Sequence, residues 1–223
     1  MKRILVVGGG VIGMLSALEL ARAGQLVQLF DRADTGRESS WAGGGIISPL
    51  FPWRYFDSVT HLASWGQRHY ANLATTLAQH TGVDPEYTEC GLILVAPDET
   101  EAAEKWAEQH HRQMAVIDAE EFHRLEPHAA EPTEALWMPA VGQVRNPRLA
   151  RALRRRLEQL GVDIRTDSEV RALQQTNGRC QGVQTSSGRF SADVVVVCAG
   201  AWSARLLADL PVPPAIAPMR GQM

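Results

Sequence analysis

The chain begins with a short unbroken apolar run, Ile4 to Val7, held between Lys2-Arg3 and three glycines. Such a run without alternation is the pattern of a strand buried on both faces in a parallel sheet. Val11 to Ala23, rich in Ala and Leu, predicts a helix stopped at Gly24, and Leu26 to Phe30 predicts a second apolar strand ending at Asp31. These segments make one βαβ unit. A right-handed crossover sets its two strands side by side, with the glycine turn at the carboxyl end of the sheet, where such folds bind ligands.

Ser39 to Phe56 has no helical or strand period and reads as a binding loop. Leu62, Trp65, His69, Leu73 and Leu77 then recur at helical spacing up to Gly82, which predicts a packed amphipathic helix with a structural role. From Tyr87 to about Val144 the texture changes. Short strands are expected at Gly91 to Ala96 and Ala135 to Met138, with an acidic helix near Glu99 to His111 between them. Asp118 with Glu121 makes a capping-box start for a short helix ended by Pro127. Asn146 as N-cap and Pro147 at the first helical position open a helix with Leu149, Leu153, Leu157 and Leu160 on one face and Arg154 to Arg156 on the wet side. Gly161 closes it. Val162 to Arg165 resembles a third parallel strand. Val170 to Leu173, Cys180 to Thr185 and Arg189 to Ser191 are short strands joined at the turn signals Asn177-Gly178 and Ser187-Gly188. Asp193 to Cys198 carries four valines, predicting a buried strand that runs through Ala199-Gly200 into another helix.

The pattern predicts an α/β chain, a Rossmann-like dinucleotide-binding domain with a parallel sheet and a β-meander, interrupted by part of an α+β second domain. Residues 1–84 and 143–212 are expected in the first domain, and 85–142 with 213–223 in the second. With 45% hydrophobic and 21% charged residues, the 223-residue chain has the means to bury a core. Its 22 Lys and Arg against 25 Asp and Glu give a net charge of -3, which offers no footprint for a phosphate backbone, so no nucleic-acid partner is expected. Cys90, Cys180 and Cys198 show no C-x-x-C spacing and no even count, and a cytoplasmic location fits them best. The apolar start breaks at Gly8 without a small-residue cleavage site. No run reaches the roughly 18 apolar residues of a membrane helix, so no integral membrane segment is expected.

Gly8, Gly10 and Gly13 fit G-x-G-x-x-G, here between a strand and a helix, with Asp31 at the end of the next strand. Gly8 suits a tight turn, Gly10 the close approach of a pyrophosphate, and Gly13 close packing of helix on strand. The first helical N–H groups, at Val11 and Ile12, would stabilise phosphate charge. Asp31, followed by Arg32, would accept from the adenosine ribose hydroxyls. NAD and FAD both use this fingerprint. His110, His111, His123 and His128 lack cysteine or spaced carboxylate partners, and no metal site is expected from them. Trp53 and Tyr55 suit either substrate contact or packing under the loop. Neither G-x-S-x-G nor G-x-x-x-x-G-K occurs.

The segment Ser39-Ser40-Trp41-Ala42-Gly43-Gly44-Gly45-Ile46-Ile47-Ser48-Pro49, with the strand Val195 to Val197 and Cys198-Ala199-Gly200-Ala201-Trp202-Ser203, resembles the amino-acid oxidase family of flavoproteins, of the D-amino acid oxidase type. The run Phe51-Pro52-Trp53-Arg54-Tyr55 is similar to its branch of bacterial glycine-oxidising enzymes of thiamine biosynthesis. The resemblance spans the chain and implies FAD as cofactor. It implies that Ser39, Ser40, Ala42, Gly43, Gly44, Gly45 and Ile46 lie along FAD, that Val170 holds the adenine edge through its backbone, and that Ala199, Gly200 and Trp202 border the flavin. It also implies a small amine, glycine or a D-amino acid as substrate, with dioxygen as acceptor. The products would be an imine, then the 2-oxo acid and ammonia, with hydrogen peroxide. A homo-oligomer is compatible. The arginine and tyrosine that clamp the substrate carboxylate in that family have no counterpart here, so the catalytic residues are expected beyond Met223 and the chain reads as an N-terminal portion. A D-amino acid dehydrogenase passing electrons to a quinone, or a non-catalytic nucleotide-binding module, stay open as alternatives.

Overall fold

Four short aliphatic segments build a parallel sheet in the computed structural model, which describes residues 1–95, 98–130, 132 and 134–219. In chain order they are β1 (Arg3–Val7), β2 (Leu26–Phe30), β8 (Asp163–Arg165) and β12 (Val194–Val197), arranged β12-β1-β2-β8. The central register pairs Leu5 with Gln28 on one side and with Val195 on the other. Helix α1 (Val11–Arg22) links β1 to β2, and Gly24 follows it at φ 73°.

By chain contacts the molecule divides into two compact units. The first takes Met1–Gly44, Thr76–Pro85 and the chain from Asn146 onward, and the second Gly45–Thr75 and Glu86–Arg145. The division falls within a helix, α3 (Asp57–Thr81), which follows the short α2 (Ser39–Ala42) and a 3-10 turn at Pro52–Arg54. The segment expected to be a plain loop therefore holds two short helical turns. Four residues are too few to show a period.

In the first unit, α6 (Asn146–Gln159) buries Leu149, Leu153 and Leu157 and packs against α1. Its polar flank reaches the end of α3. Gln159 Nε2 donates to the His80 carbonyl (2.9 Å) and Arg148 Nε to that of Asp84 (2.6 Å). Arg154, expected on the wet side, is half-buried and paired with Glu158 and Asp34. The meander β9 (Val170–Thr176), β10 (Arg179–Thr185) and β11 (Gly188–Ser191) is antiparallel in the order β11-β10-β9. Asn177 and Gly178 both take positive φ, 52° and 73°, as a two-residue hairpin turn of the primed kind requires. Its Val183 joins Leu5, Val7 and Phe30 in one core cluster, and Phe190 meets the Phe30 ring edge-on at 4.9 Å.

The second unit holds β3 (Thr88–Glu89) paired with β7 (Gly142–Gln143), and the sheet β4-β6-β5 formed by β4 (Leu92–Val95), β6 (Glu134–Met138) and β5 (Ala115–Asp118). Helix α4 (Thr100–Gln109) buries Ala103, Trp106 and Ala107 beside Leu94, Leu136 and Met138. The expected strand end at Ala96, and residues 220–223 of the expected segment 213–223, lie outside the described residues. Asp118 caps α5 (Ala119–Leu125) by accepting the Glu121 N–H (2.9 Å). The Glu121 carboxylate pairs with Arg124, an i,i+3 neighbour. No helix among the described residues is long and apolar enough to cross a membrane.

Two expectations about burial are corrected. Leu62 and Trp65 are 73% and 56% exposed, whereas Leu77 is 1% exposed. In the second unit the covered face of α3 carries Thr60 rather than Leu62, because Thr60 hydrogen-bonds Trp106 Nε1 (3.3 Å). The valines of β12 are only half-buried and Val194 is exposed, since β12 pairs with β1 alone among the described residues and is an edge strand. α7 (Ser203–Leu206) follows a 3-10 turn at Gly200–Trp202 and is a single turn. Leu77→Ala is expected to cost about 2–5 kcal/mol, and Leu62→Ala to stay within about 0.5 kcal/mol of the parent, both read by denaturant unfolding.

Candidate functional site

The glycine turn after β1 is set by backbone crowding. The Gly8 N–H donates to the Phe30 carbonyl (2.8 Å), and Gly8 sits at φ 106°, where a Cβ would lie 2.2 Å from the Cys198 carbonyl oxygen. A Cβ on Gly13 would lie 1.8 Å from the Gly8 carbonyl oxygen. These two residues have no space for a side chain. Gly10 is different: it is the N-cap of α1 in extended conformation, without a side-chain cap, and a Cβ there would meet only Ser40 Oγ, at 3.1 Å. Its one close neighbour is a side-chain hydroxyl rather than a backbone atom.

Polar side chains from two other elements close on this turn. Asp31, just past β2, accepts the Gly9 N–H (2.6 Å) on one carboxylate oxygen and the Ala33 N–H (2.9 Å) on the other. Ser40 of α2 accepts the Val11 N–H (2.9 Å). Of the two helical N–H groups expected to face phosphate, that of Val11 is already satisfied by Ser40. Among the described residues the N–H groups of Gly10, Ile12 and Gly13 have no partner. They are the unmet donors of a helix start, the feature that suits a phosphate.

The structure also brings Arg32 to Trp202, whose ring lies 4.2 Å from the guanidinium carbon, and Arg32 donates to Glu38 (2.6 Å). Glu38, which sequence reasoning missed, holds a left-handed backbone (φ 60°) just before α2. No local signal marks a glutamate for that conformation. Ser39 and Ala42 lie on α2, both exposed, as are Gly43 and Gly44. Gly43 is held through its carbonyl, which accepts from Asn146 Nδ2 (2.8 Å), so the Asn146 amide reaches across to this loop. Gly45 and Ile46 belong to the second unit, where Gly45 accepts the Val144 N–H (3.0 Å) and Ile46 bridges Gln143. Val170 opens β9 opposite Thr185, and its half-buried side chain packs on the first-unit core. Ala199 and Gly200 form the turn after β12, where the Ala199 carbonyl accepts the Trp202 N–H (3.0 Å).

Of the aromatic candidates, Trp53 packs on the second-unit core and donates to Glu99, while Tyr55 is exposed. Arg54 pairs with the same carboxylate at 2.8 Å, and these bonds, that of Arg54 first, hold Glu99 below the usual carboxylate range. Among the described residues no three His, Cys, Asp or Glu side chains gather as a metal site. Cys198 is half-buried with Sγ 3.9 Å from Ser16 Oγ, and burial pushes its thiol up. A raised thiol holds less thiolate at a given pH, so maleimide at pH 8 is expected to modify the exposed Cys90 and Cys180 well before Cys198. The lag should shrink as the pH is raised, and peptide mass spectrometry follows each site.

Comparison with known proteins gives this geometry its family. The family described as DAO, FAD dependent oxidoreductase, matches residues 3–223. A glycine oxidase of Pseudomonas aeruginosa is 44% identical over the whole chain and one of Pseudomonas putida 43%. The chain spans about 62% and 61% of their lengths. The crystal structure of glycine oxidase from Bacillus cereus superposes with a TM-score of 0.81 at 29% identity, covering 93% of this chain and 58% of that one. The chain belongs to the FAD-dependent oxidoreductase family of the DAO type.

Proposed function

We propose that this member of the DAO family carries the FAD cradle of an enzyme that oxidises glycine, or another small amine or D-amino acid. The observation that carries the cofactor part is the helix start at Gly10. That residue has no side chain, the N–H groups of Gly10, Ile12 and Gly13 have no partner among the described residues, and Asp31 and Ser40 already hold the turn in shape. An anionic pyrophosphate fits that surface, because the donors and the helix dipole both favour negative charge. In this reading Gly8, Gly10, Val11, Ile12 and Gly13 face the pyrophosphate side. Asp31 keeps lone pairs for the ribose hydroxyls, and Arg32 stays near the adenosine. Ser39, Ser40 and Ala42 to Ile46 run along the cofactor. Val170 offers backbone groups to the adenine, and Ala199, Gly200 and Trp202 border the flavin ring.

Bound FAD supplies a two-electron acceptor for a small amine, which leaves as the imine and is hydrolysed to the 2-oxo acid and ammonia, while dioxygen accepts the electrons and becomes hydrogen peroxide. The chain's own contribution is position: in such chemistry the protein fixes geometry and excludes competing reactions. The names of the similar proteins support glycine as substrate. The bifunctional ThiO/ThiG protein of Synechocystis, 29% identical over 99% of this chain, supports a place in thiamine biosynthesis. We place residues 1–84 and 143–212 in the FAD-binding domain and 85–142 with 213–223 in the substrate domain.

The full-length protein is expected to release hydrogen peroxide with glycine and to form glyoxylate and ammonia in equal amounts. Silence with every amine tested removes the reading, and reoxidation by an artificial acceptor but not by dioxygen makes it a dehydrogenase. The cradle itself is tested by two alanines. Gly13→Ala must push the Gly8 carbonyl aside and is expected to cost more than about 3 kcal/mol of stability. Gly10→Ala, whose methyl displaces only the Ser40 hydroxyl, should cost less stability than Gly13→Ala yet hold FAD about tenfold more weakly, because the methyl and the shifted hydroxyl crowd the cofactor side. Denaturant unfolding reads the stability of both variants, and absorbance of retained flavin after desalting reads their hold on FAD.

A further inference from the structure

The second unit contains a cavity of about 300 Å³, lined among the described residues by side chains between Ser48 and Gln67 and between Trp106 and Val141. Trp106, Met138 and Val141 give it an apolar side, and Arg112, His111 and Ser64 a polar one. No aspartate or glutamate lines it among the described residues.

Arg112 is placed there by the end of α4. The helix closes with the Arg112 N–H on the Ala107 carbonyl (2.8 Å) and the His111 N–H on that of Glu108 (3.2 Å), with His111 at φ 51°. That is a Schellman closure, whose left-handed position glycine occupies at least cost. Here a histidine pays the strain, which carries the imidazole to the cavity wall beside Arg112. The guanidinium is half-buried. It donates one N–H to Ser64 Oγ, itself fixed by donating to the Thr60 carbonyl (2.6 Å). No carboxylate pairs with Arg112 among the described residues. Burial, and then the neighbouring Arg68 guanidinium, push Arg112 below the usual arginine range. A cation drawn from water beside a like charge, with most of its five N–H groups uncommitted, is a site that gains from an anion.

We propose that this cavity binds a small organic carboxylate, its carboxylate on Arg112 and its apolar body against Trp106 and Met138. Charge-assisted bonds to a guanidinium give the anion its preference, and the apolar wall excludes a simple inorganic ion as the better ligand. The site does not depend on the flavin reading, since none of its residues belongs to the proposed cradle.

Phenylacetate and its neutral isostere phenylacetamide, titrated into the full-length protein by ligand-observed NMR, test the proposal. Phenylacetate is expected to bind about tenfold more tightly than the amide, and to weaken with added salt while the amide does not. Arg112→Gln should reduce the acid to the level of the amide, and Arg112→Lys should restore part of the difference. Ala63→Leu narrows the cavity without touching the guanidinium and should weaken both ligands, so the outcome does not hang on one variant folding. Circular dichroism verifies each fold. Equal binding of acid and amide, undiminished binding of the acid in Arg112→Gln, or no binding at millimolar concentration overturns the proposal.

Discussion

The approach of three backbones at Gly8 is the constraint on which the first unit depends. β1 delivers Gly8 against the Cys198 carbonyl at the end of β12, and α1 lays Gly13 on the Gly8 carbonyl. Neither contact leaves space for a single carbon. The packing of α1 on the sheet, the aim of its first turn and the position of the β12 end are thereby one decision made at two glycines. Hydrophobic burial of Leu5, Val6, Met14 and Leu18 stabilises the assembly, but those side chains would tolerate small shifts in register of the helix. The glycines do not tolerate them. Specific geometry comes from the crowded backbone and stability from the aliphatic core.

Around that turn, polar groups are committed before any ligand arrives. Asp31 ties the Gly9 N–H to the end of β2, and Ser40 ties the Val11 N–H to α2. Each bond spans more than twenty residues of sequence and joins a different element to the helix start. The donors left over, at Gly10, Ile12 and Gly13, are therefore held by a frame with little freedom to close upon itself. A helix start arranged this way binds an anion without first reorganising, which lowers the ordering cost of association. Arg32 extends the frame on the other side, where Glu38 and the Trp202 ring hold its guanidinium.

The elements legible in the sequence are those whose signal is local. The βαβ start, the leucine face of α6 and the Asn177-Gly178 hairpin each carry their own period or turn chemistry; the structure places the first two within a residue or so of the expected ends, while the first hairpin strand runs on past the expected Leu173 to Thr176. What the sequence hides is decided by neighbours. Leu62 and Trp65 keep a helical period with Leu77, yet only Leu77 is buried, because periodicity reports a shared face and not what covers it. The four valines of β12 read as a central strand, although the strand pairs on one side only. β3 and β7 are two residues each and exist through mutual pairing, which no local pattern announces. At the candidate site the glycines and Asp31 are legible because their chemistry is tied to spacing. The roles of Ser40 toward Val11 and of Asn146 toward Gly43 are not, since both are long-range bonds.

Backbone strain follows the same division. Asn177 adopts positive φ where a hairpin turn demands it and asparagine accepts it readily. Glu38, Phe51 and His111 adopt it with no hairpin turn to demand it, each at a cost of about 1 kcal/mol or more. Each accompanies an arginine close in sequence: Glu38 takes Arg32, the Phe51 ring takes the Arg54 guanidinium at 4.1 Å, and His111 directly precedes Arg112 at the cavity wall. Two of the three lie beside Arg32 and Arg112, arginines whose environment is otherwise hard to explain as packing. Where a chain keeps a non-glycine residue in a glycine conformation next to a cation that its neighbours hold, placing that cation is the simplest physical reason for keeping it.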